Sequence, residues 1–310
     1  MATYRLIEKT PLTDRISAFA FAPTQGNVPL WEAGAHIDIE LTGLGSRSYS
    51  LIHWPGDGKD TLVIAVQAEP DGSGGSQAVH QLEVGAEVSL SDPKNSFSLQ
   101  ASAKPFALIA GGIGVTPLIS MATEMADTGR EFVFHYSGRT QSVMAYRDAL
   151  LAAFPKQMHF HFDDKNPADL TALAITLRDH AVYICGPKGL IDAMRTAAEA
   201  AGVPAGDIHV ELFSAPDADT GDSAFEVELA STNEVVGVEA GQTIIEALEA
   251  AGHDVMYDCQ RGDCGICQVD VLAGEPDHRD VVLSDAEKAS GKVMQICVSR
   301  AKSARLVLDI

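Results

Sequence analysis

Tyr257-Asp258-Cys259-Gln260-Arg261-Gly262-Asp263-Cys264-Gly265-Ile266-Cys267 is the stretch that decides how the C-terminal part folds, and a fourth cysteine, Cys297, follows after 29 intervening residues. Three thiolates on one tight loop face a common centre only if the backbone curls around it with its amides inward. Gly262 and Gly265 supply the freedom for that curl, and a distant fourth thiolate closes the cage. The spacing C-x4-C-x2-C with a remote cysteine is that of a plant-type [2Fe-2S] site. Structural zinc also accepts four thiolates, but more often as two paired C-x2-C knuckles. The predicted metal ligands are therefore Cys259, Cys264, Cys267 and Cys297, and a single-electron carrier is the expected chemistry.

Outward from the loop, Thr243 to Ala251 reads as a helix, and Phe225-Glu-Val-Glu-Leu229 with Val235-Val-Gly-Val238 as a hairpin. A small mixed sheet gripping one helix follows, a β-grasp ferredoxin over 223–310. Ser214 to Asp222 has no apolar face and is rich in acids and turn formers, which predicts a linker. From 103 to 213 apolar strands alternate with helical stretches: Phe106–Ala110, a helix from Pro117, Glu131–Tyr136, His159–Phe162, Val182–Cys185, a helix over Leu190–Ala201, and His209–Phe213. That rhythm predicts a doubly wound parallel sheet. Residues 1–102 show short apolar runs broken by turns, at His36–Leu41, Ser48–Ile52, Thr61–Val66 and Ala86–Leu90, which predict a β-barrel. The expected fold class is multidomain, α+β and α/β.

Gly111-Gly112-Ile113-Gly114-Val115-Thr116-Pro117 lies between a strand and a helix of the middle domain. Glycines admit a pyrophosphate close to the backbone, and a helix N-terminus offers it free amides. Thr116 is the expected N-cap and Pro117 the first helical residue. Cys185-Gly186-Pro187 ends a later strand of the same sheet, where ligands of such sheets gather. A nicotinamide gives its electrons as a pair while an iron-sulfur cluster takes them singly, so a flavin is required between them. The barrel's Arg47-Ser48-Tyr49-Ser50-Leu51 offers a cation for phosphate, an aromatic face and a hydroxyl for a ring nitrogen, with Arg47 and Tyr49 on one strand face. Gly72-Ser73-Gly74-Gly75-Ser76 before a short helix, Gln77 to Leu82, is a second phosphate candidate. The histidines form no H-E-x-x-H motif, and His278 is expected in a turn closing the cluster domain.

A formal net charge of −21 excludes nucleic acid as the partner class, because phosphate binding needs a basic surface. Apolar runs fall short of the ~20 residues that span a bilayer, and the N-terminus lacks the pattern of an export signal. Four of the five cysteines are claimed by the cage, leaving Cys185 and no disulfide framework. A cytoplasmic location is the expectation.

Over essentially its full length the chain resembles the phthalate dioxygenase reductase family, which includes the reductases of vanillate and phenoxybenzoate oxygenases. The resemblance is carried by Arg47-Ser-Tyr49-Ser50-Leu51, Gly111 to Pro117, Cys185-Gly186-Pro187, His209-Val-Glu-Leu-Phe213, Asp277-His-Arg-Asp280 and the segment Cys297 to Ile310. It implies FMN, NADH as donor, and an oxygenase component as electron acceptor; the expected acceptor is of Rieske type, and the isolated reductase is expected to be monomeric. It further implies that Arg47, Ser48, Tyr49 and Ser50 hold the flavin, with backbone at Val66, Gln67 and Ala68 along the ring edge. Gly74, Gly75 and Ser76 would bind the phosphate. Thr116 would lie close to the flavin, and Phe213 would cover its other face until nicotinamide displaces it. Ser50, Thr116, Cys185 and Phe213 are thus the catalytic candidates, and Gly111, Gly112, Gly114, Arg139, Cys185, Gly186 and Pro187 the nucleotide set. One departure stands out: Ser73 occupies a position where the family often has arginine, and a lost charge-assisted phosphate bond is worth roughly 1.5–3 kcal/mol. Arg139, after the second strand, leaves NADPH open as a donor. Two other classes fit parts of the pattern: an electron-transfer subunit held inside another multi-component enzyme, and a redox-inactive zinc-binding docking protein.

Overall fold

The computed structural model describes residues 1–213 and 221–310, so most of the expected linker, 214–220, lies outside the described residues. The chain divides into two compact units, Met1–His209 and Val210–Ile310. The first unit opens with β1 (Ala2–Pro11), β2 (Ile16–Pro23), β3 (His36–Leu41), β4 (Gly45–Ser50), β5 (Leu62–Gln67), the short helix α1 (Gly75–Gln81) and β6 (Glu87–Leu90). The strands form a six-stranded antiparallel sheet in the order β4-β3-β6-β1-β2-β5. Its ends are brought together just past β4, where the Ile52 amide donates to the Val63 carbonyl of β5 at 2.8 Å. Phe19, Phe21, Ile37, Ile39 and Leu62 fill the barrel because alternate residues of each strand point inward.

The same unit continues with β7 (Phe106–Gly111), α2 (Val115–Asp127), β8 (Phe132–Gly138), α3 (Arg147–Ala153), β9 (Met158–Phe162), α4 (Leu170–Thr176), β10 (Ala181–Cys185) and α5 (Lys188–Ala201), and the boundary between the units falls inside the last strand of this sheet, β11 (Ile208–Glu211). Sheet order is β11-β10-β7-β8-β9, and the pairs β10–β7, β7–β8 and β8–β9 are parallel. The chain runs from β7 outward to β9 and returns to the other side of β7, so the topological switch point falls between β7 and β10. Continuous burial along β7 and β10 is what a central parallel strand requires. One apolar core joins this sheet to the barrel, since Ile16, Ile52, Ala65 and Phe97 pack in the same cluster as Leu118, Met121 and Tyr183.

The expected start of α2 is corrected. A 3₁₀ turn at Gly112–Gly114 runs directly into the helix, which begins at Val115, so Gly114 is the N-cap residue and Pro117 is the third helical residue. The Thr116 hydroxyl, rather than capping an amide, donates to the Ile113 carbonyl at 3.1 Å.

The second unit contains β12 (Phe225–Leu229), β13 (Val235–Val238), α6 (Ile244–Ala250), β14 (Gln268–Ala273), β15 (Pro276–Asp277), α7 (Asp285–Ser290), β16 (Val293–Gln295), β17 (Arg300–Ala301) and β18 (Arg305–Leu308). The main sheet, β13-β12-β18-β14-β16, is mixed: β12 and β18 run parallel, and the remaining pairs are antiparallel. Ile244, Ile245, Ala247 and Leu248 of α6 pack on its inner face with Val227, Leu306 and Leu308. Thr243 and Glu246 close a reciprocal capping box at the start of α6.

Candidate functional site

Arg47 and Tyr49 lie opposite Ile39 and Ile37 in the β3–β4 register, so both point to the same side of the sheet. Arg47 Nη2 donates to Ser73 Oγ at 3.0 Å, which joins the strand to the glycine-rich loop. A Cβ on Gly75 would meet Arg47 Cγ and Nε at 2.8 Å, so a side chain there would push the arginine aside. The guanidinium therefore lies against bare backbone at the start of α1, and Gly74 enters the turn at φ +87°. Burial pushes the Tyr49 hydroxyl up to about 12 despite the Arg47 charge, so the phenol is a neutral hydrogen-bond donor at neutral pH.

Several predicted residues are engaged within the protein. Ser48 faces the other way and donates to Asp38 Oδ1 at 2.6 Å. Ser76 Oγ accepts from the Glu69 amide, the Val66 carbonyl contacts the His80 ring at 2.8 Å, and Gln67 bonds Glu69 through its side chain. The Ala68 amide donates to the Arg15 carbonyl, and its own carbonyl accepts from the Arg15 guanidinium. Ser50 is buried.

At the switch point two strand-to-helix turns touch backbone to backbone. A Cβ on Gly114 would sit 2.4 Å from the Cys185 carbonyl oxygen, and one on Gly186 would sit 3.0 Å from Gly111. Gly111 also faces Pro187 and Leu190, and Gly112 takes φ +54° with open space beside it. Cys185 and Thr116 are fully enclosed here, while Arg139 is exposed beyond the end of β8. Two residues that sequence reasoning passed over fix this region to the flavin candidates. Ser120 Oγ donates to the Leu51 carbonyl at 2.7 Å and accepts from the His53 amide, and Thr123 Oγ1 donates to the His53 carbonyl at 2.7 Å. One face of α2 is thereby pinned to the backbone that follows Arg47 to Ser50. Hydroxyls inside a helix carried no signal for this, because helix positions for serine and threonine are usually solvated.

In the second unit the four cysteines converge. Gln260, Gly262 and Gly265 take φ of +52°, +80° and +78°, which curls the loop. A Cβ on Gly262 would meet Val298 at 2.6 Å and the Asp280 Cα at 3.0 Å, and the Gly262 carbonyl accepts from the Val281 amide. The Arg261 amide donates to Cys259 Sγ at 3.3 Å, and Cys267 Sγ reaches Gln295 Oε1 at 3.4 Å. Hydrogen bonds with Cys264 and Cys297 pull the Cys259 thiol down, and the same hydrogen bonds, with burial behind them, push the Cys264 and Cys297 thiols up. Four thiolates this close need a cationic centre among them to be stable together, which is the donor chemistry of an iron-sulfur cluster.

The loop also holds charges that the sequence did not reveal. Asp263 Oδ2 accepts from the Leu212 amide at 2.7 Å, and the Arg261 guanidinium lies 3.5 Å from Asp263 and 3.9 Å from Glu211. All three side chains are largely buried. Burial works against the Arg261 charge, but Asp263, Glu211 and Cys259 outweigh it and hold the cation. Burial likewise pushes the Asp263 carboxyl up, to about 7, while Arg261 pulls against that rise. Asp280 is buried at the loop's back, where it accepts from the Leu283 amide at 2.8 Å, with His278 beside it. Asp222, at the end of the expected linker, is paired with Arg279 and Arg300. Phe213 is 42% exposed.

A barrel with Arg47 held against a glycine-rich turn, a glycine-lined switch point and a four-thiolate cage define a reductase that joins pyridine nucleotides to a [2Fe-2S] centre. Residues 227–302 match the 2Fe-2S iron-sulfur cluster binding domain, and residues 108–196 match the oxidoreductase NAD-binding domain. The chain is 38% identical to phenoxybenzoate dioxygenase subunit beta of Ectopseudomonas oleovorans, covering 97% of this chain and 98% of that one. It is 41% identical to vanillate O-demethylase oxidoreductase of a Pseudomonas species, covering 92% of each. The crystal structure of phthalate dioxygenase reductase superposes with a TM-score of 0.70 at 33% identity, over 99% of this chain and 97% of that one. A self-sufficient cytochrome P450 monooxygenase contains the same arrangement, with a TM-score of 0.76 at 36% identity, and this chain spans 41% of its length. The chain belongs to the phthalate dioxygenase reductase family. Among the described residues no helix is long and apolar enough to cross a membrane.

Proposed function

We propose that this protein takes electrons from NADH through FMN and a [2Fe-2S] cluster and delivers them singly to the oxygenase component of a Rieske-type aromatic oxygenase or O-demethylase system. The observation that carries the reading is the presence in one chain of a nucleotide switch point and a four-thiolate cage, in full-length register with reductases of such systems. FMN and the cluster, when bound, supply the exchange of an electron pair for single electrons.

The chain's own residues do the positioning. Arg47, held across Gly75 by Ser73, presents a cation to the FMN phosphate, and the amides of Gly74 to Ser76 complete that cradle. Tyr49 offers the ring a neutral phenol, and buried Ser50 a hydroxyl with little competition from water. Ser48, Val66 and Ala68 have their groups committed to Asp38, His80 and Arg15, so their part is to shape the cradle from behind. Gly112, with open space beside it, lets a dinucleotide approach the backbone, Gly111 and Gly114 let that turn pack against Cys185, Gly186 and Pro187, and Arg139 meets the adenosine end. Phe213 is the aromatic that gives way to nicotinamide. The four cysteines hold the cluster, with Gln295 and the Arg261 amide orienting Cys267 and Cys259. The protein works in the cytoplasm as a monomer that meets its oxygenase transiently.

An anaerobic titration with NADH and with NADPH, following flavin and cluster bleaching, tests the donor. Cys264→Ser is expected to leave NADH-dependent flavin reduction intact and to abolish delivery to a one-electron protein acceptor; unchanged delivery refutes the relay.

A further inference from the structure

We propose that Asp263 and Arg261 set the driving force of the cluster in opposite directions: Asp263 keeps the bound centre strongly reducing, and Arg261, lodged between Asp263 and Glu211, limits how far. The inference rests on the reading that the four cysteines carry a [2Fe-2S] cluster. A carboxylate oxygen of Asp263 and the sulfurs of Cys259 and Cys264 all lie within 4.8 Å of one another. Asp263 and Glu211 side chains are each 4% exposed, and Oδ1 of Asp263 is buried without a hydrogen-bond partner. A neutral asparagine would accept the Leu212 amide equally well, so the Asp263 charge is left to act on the Arg261 guanidinium 3.5 Å away and on the thiolates beside it.

Each electron entering the cage adds a negative charge to a volume that water screens poorly. A neighbouring anion raises the free energy of the reduced form and a neighbouring cation lowers it. Arg261 Nε lies 3.5 Å from Asp263, and the Arg261 amide donates to Cys259 Sγ at 3.3 Å, so the two charges stand beside the same sulfurs with opposite sign. Glu211, 3.9 Å from the Arg261 guanidinium, works with Asp263. A more reducing cluster passes its electron on more readily, so the pair sets how much of the donor's driving force reaches the acceptor.

The test is a spectroelectrochemical titration of the full-length holoprotein at pH 8, reading the paramagnetic signal of the reduced cluster, with iron and acid-labile sulfide measured on each sample. Asp263→Asn is expected to raise the reduced-to-oxidised ratio at a fixed potential about tenfold, which is about 59 mV for one electron. Glu211→Gln should move it the same way by less, Arg261→Gln should move it the opposite way, and the charge-conserving Asp263→Glu should stay within about threefold of the parent. Exposed Glu275→Gln serves as the control for a remote charge. The proposal is overturned if Asp263→Asn and Arg261→Gln shift the ratio with the same sign, or by no more than the control. It is also overturned if all three neutral variants lose iron and sulfide, since the charges would then be structural only. A parent protein without iron and sulfide would instead sink the relay itself.

Discussion

Glycines 112 and 114 are two residues apart, yet the structure assigns them different reasons for lacking a side chain. Gly112 has the positive φ and empty surroundings, so alanine there costs only the left-handed backbone penalty, about 1 kcal/mol. Gly114 has an ordinary φ and no space, because its Cβ would lie 2.4 Å from the Cys185 carbonyl oxygen. Gly114→Ala is therefore expected to destabilise the first unit by about 2 kcal/mol or more and to weaken NADH use, because the two turns must part. Gly112→Ala should be the milder of the pair in both respects. Urea unfolding followed through tryptophan fluorescence, alongside NADH titration of each variant, checks the order; a reversed order would mean that backbone strain outweighs crowding. The sequence revealed that this loop needs glycine but not which constraint acts at which position, since the second turn arrives from some 70 residues away. The same limit hid Asp263 and Arg261, whose partners Leu212 and Glu211 are about 50 residues upstream.

At the level of elements, apolar periodicity was a good guide wherever a strand or helix buries a continuous face. The strands at His36, Leu62, Phe106, Val182 and Phe225 and the helices after Thr243 and Pro187 all follow their hydrophobic pattern. The two N-terminal strands escaped that reading. β1 buries only Tyr4 and Leu6 of its ten residues, and β2 alternates phenylalanine with alanine, so neither has the apolar contrast that marks a half-buried strand. The start of α2 was misplaced because local capping preferences favoured Thr116, whereas the crowded glycine turn dictated the entry.

The edge of the nucleotide sheet adds a further element-scale consequence. His135 on β8 stacks on His159 of β9 with ring centroids 4.7 Å apart, and its Nδ1 lies 3.0 Å from His161 Nε2. Burial, reinforced by the neighbouring imidazoles, pushes His135 down from 6.5 to about 3. The unfolded chain therefore takes up a proton near pH 6.5 that the fold refuses until about pH 3. The stability contributed by neutral His135 is complete above pH 6.5 and is lost as the pH falls from there towards 3. Between pH 8 and 5 the loss should be about 1–2 kcal/mol, the lower figure allowing for the ring's partial exposure. His135→Gln is expected to flatten this part of the pH profile, read as the urea midpoint at pH 8 and pH 5; an unchanged slope would show that the ring titrates normally in the fold.

For the whole molecule the governing quantity is the formal net charge of −21, more than half of it in the cluster-bearing sequence after residue 213. Two encounters depend on it with opposite sign. NADH is itself an anion, so the protein's field slows its approach, and added salt relieves that repulsion. An oxygenase that docks through a basic face is drawn in by the same field, and salt weakens that attraction. Raising the ionic strength from about 0.02 to 0.2 M shortens the screening length from roughly 20 Å to about 7 Å, which removes most of the long-range part of both effects. Stopped-flow measurements are thus expected to show the second-order rate of flavin reduction by NADH rising or staying level with salt, while electron delivery to the oxygenase falls several-fold. A delivery rate indifferent to salt would mean that the acidic surface serves solubility alone and that the partner is recognised by apolar contact, for which exposed Met256, Ile266 and Val282 lie within or close in sequence to the cysteine loop.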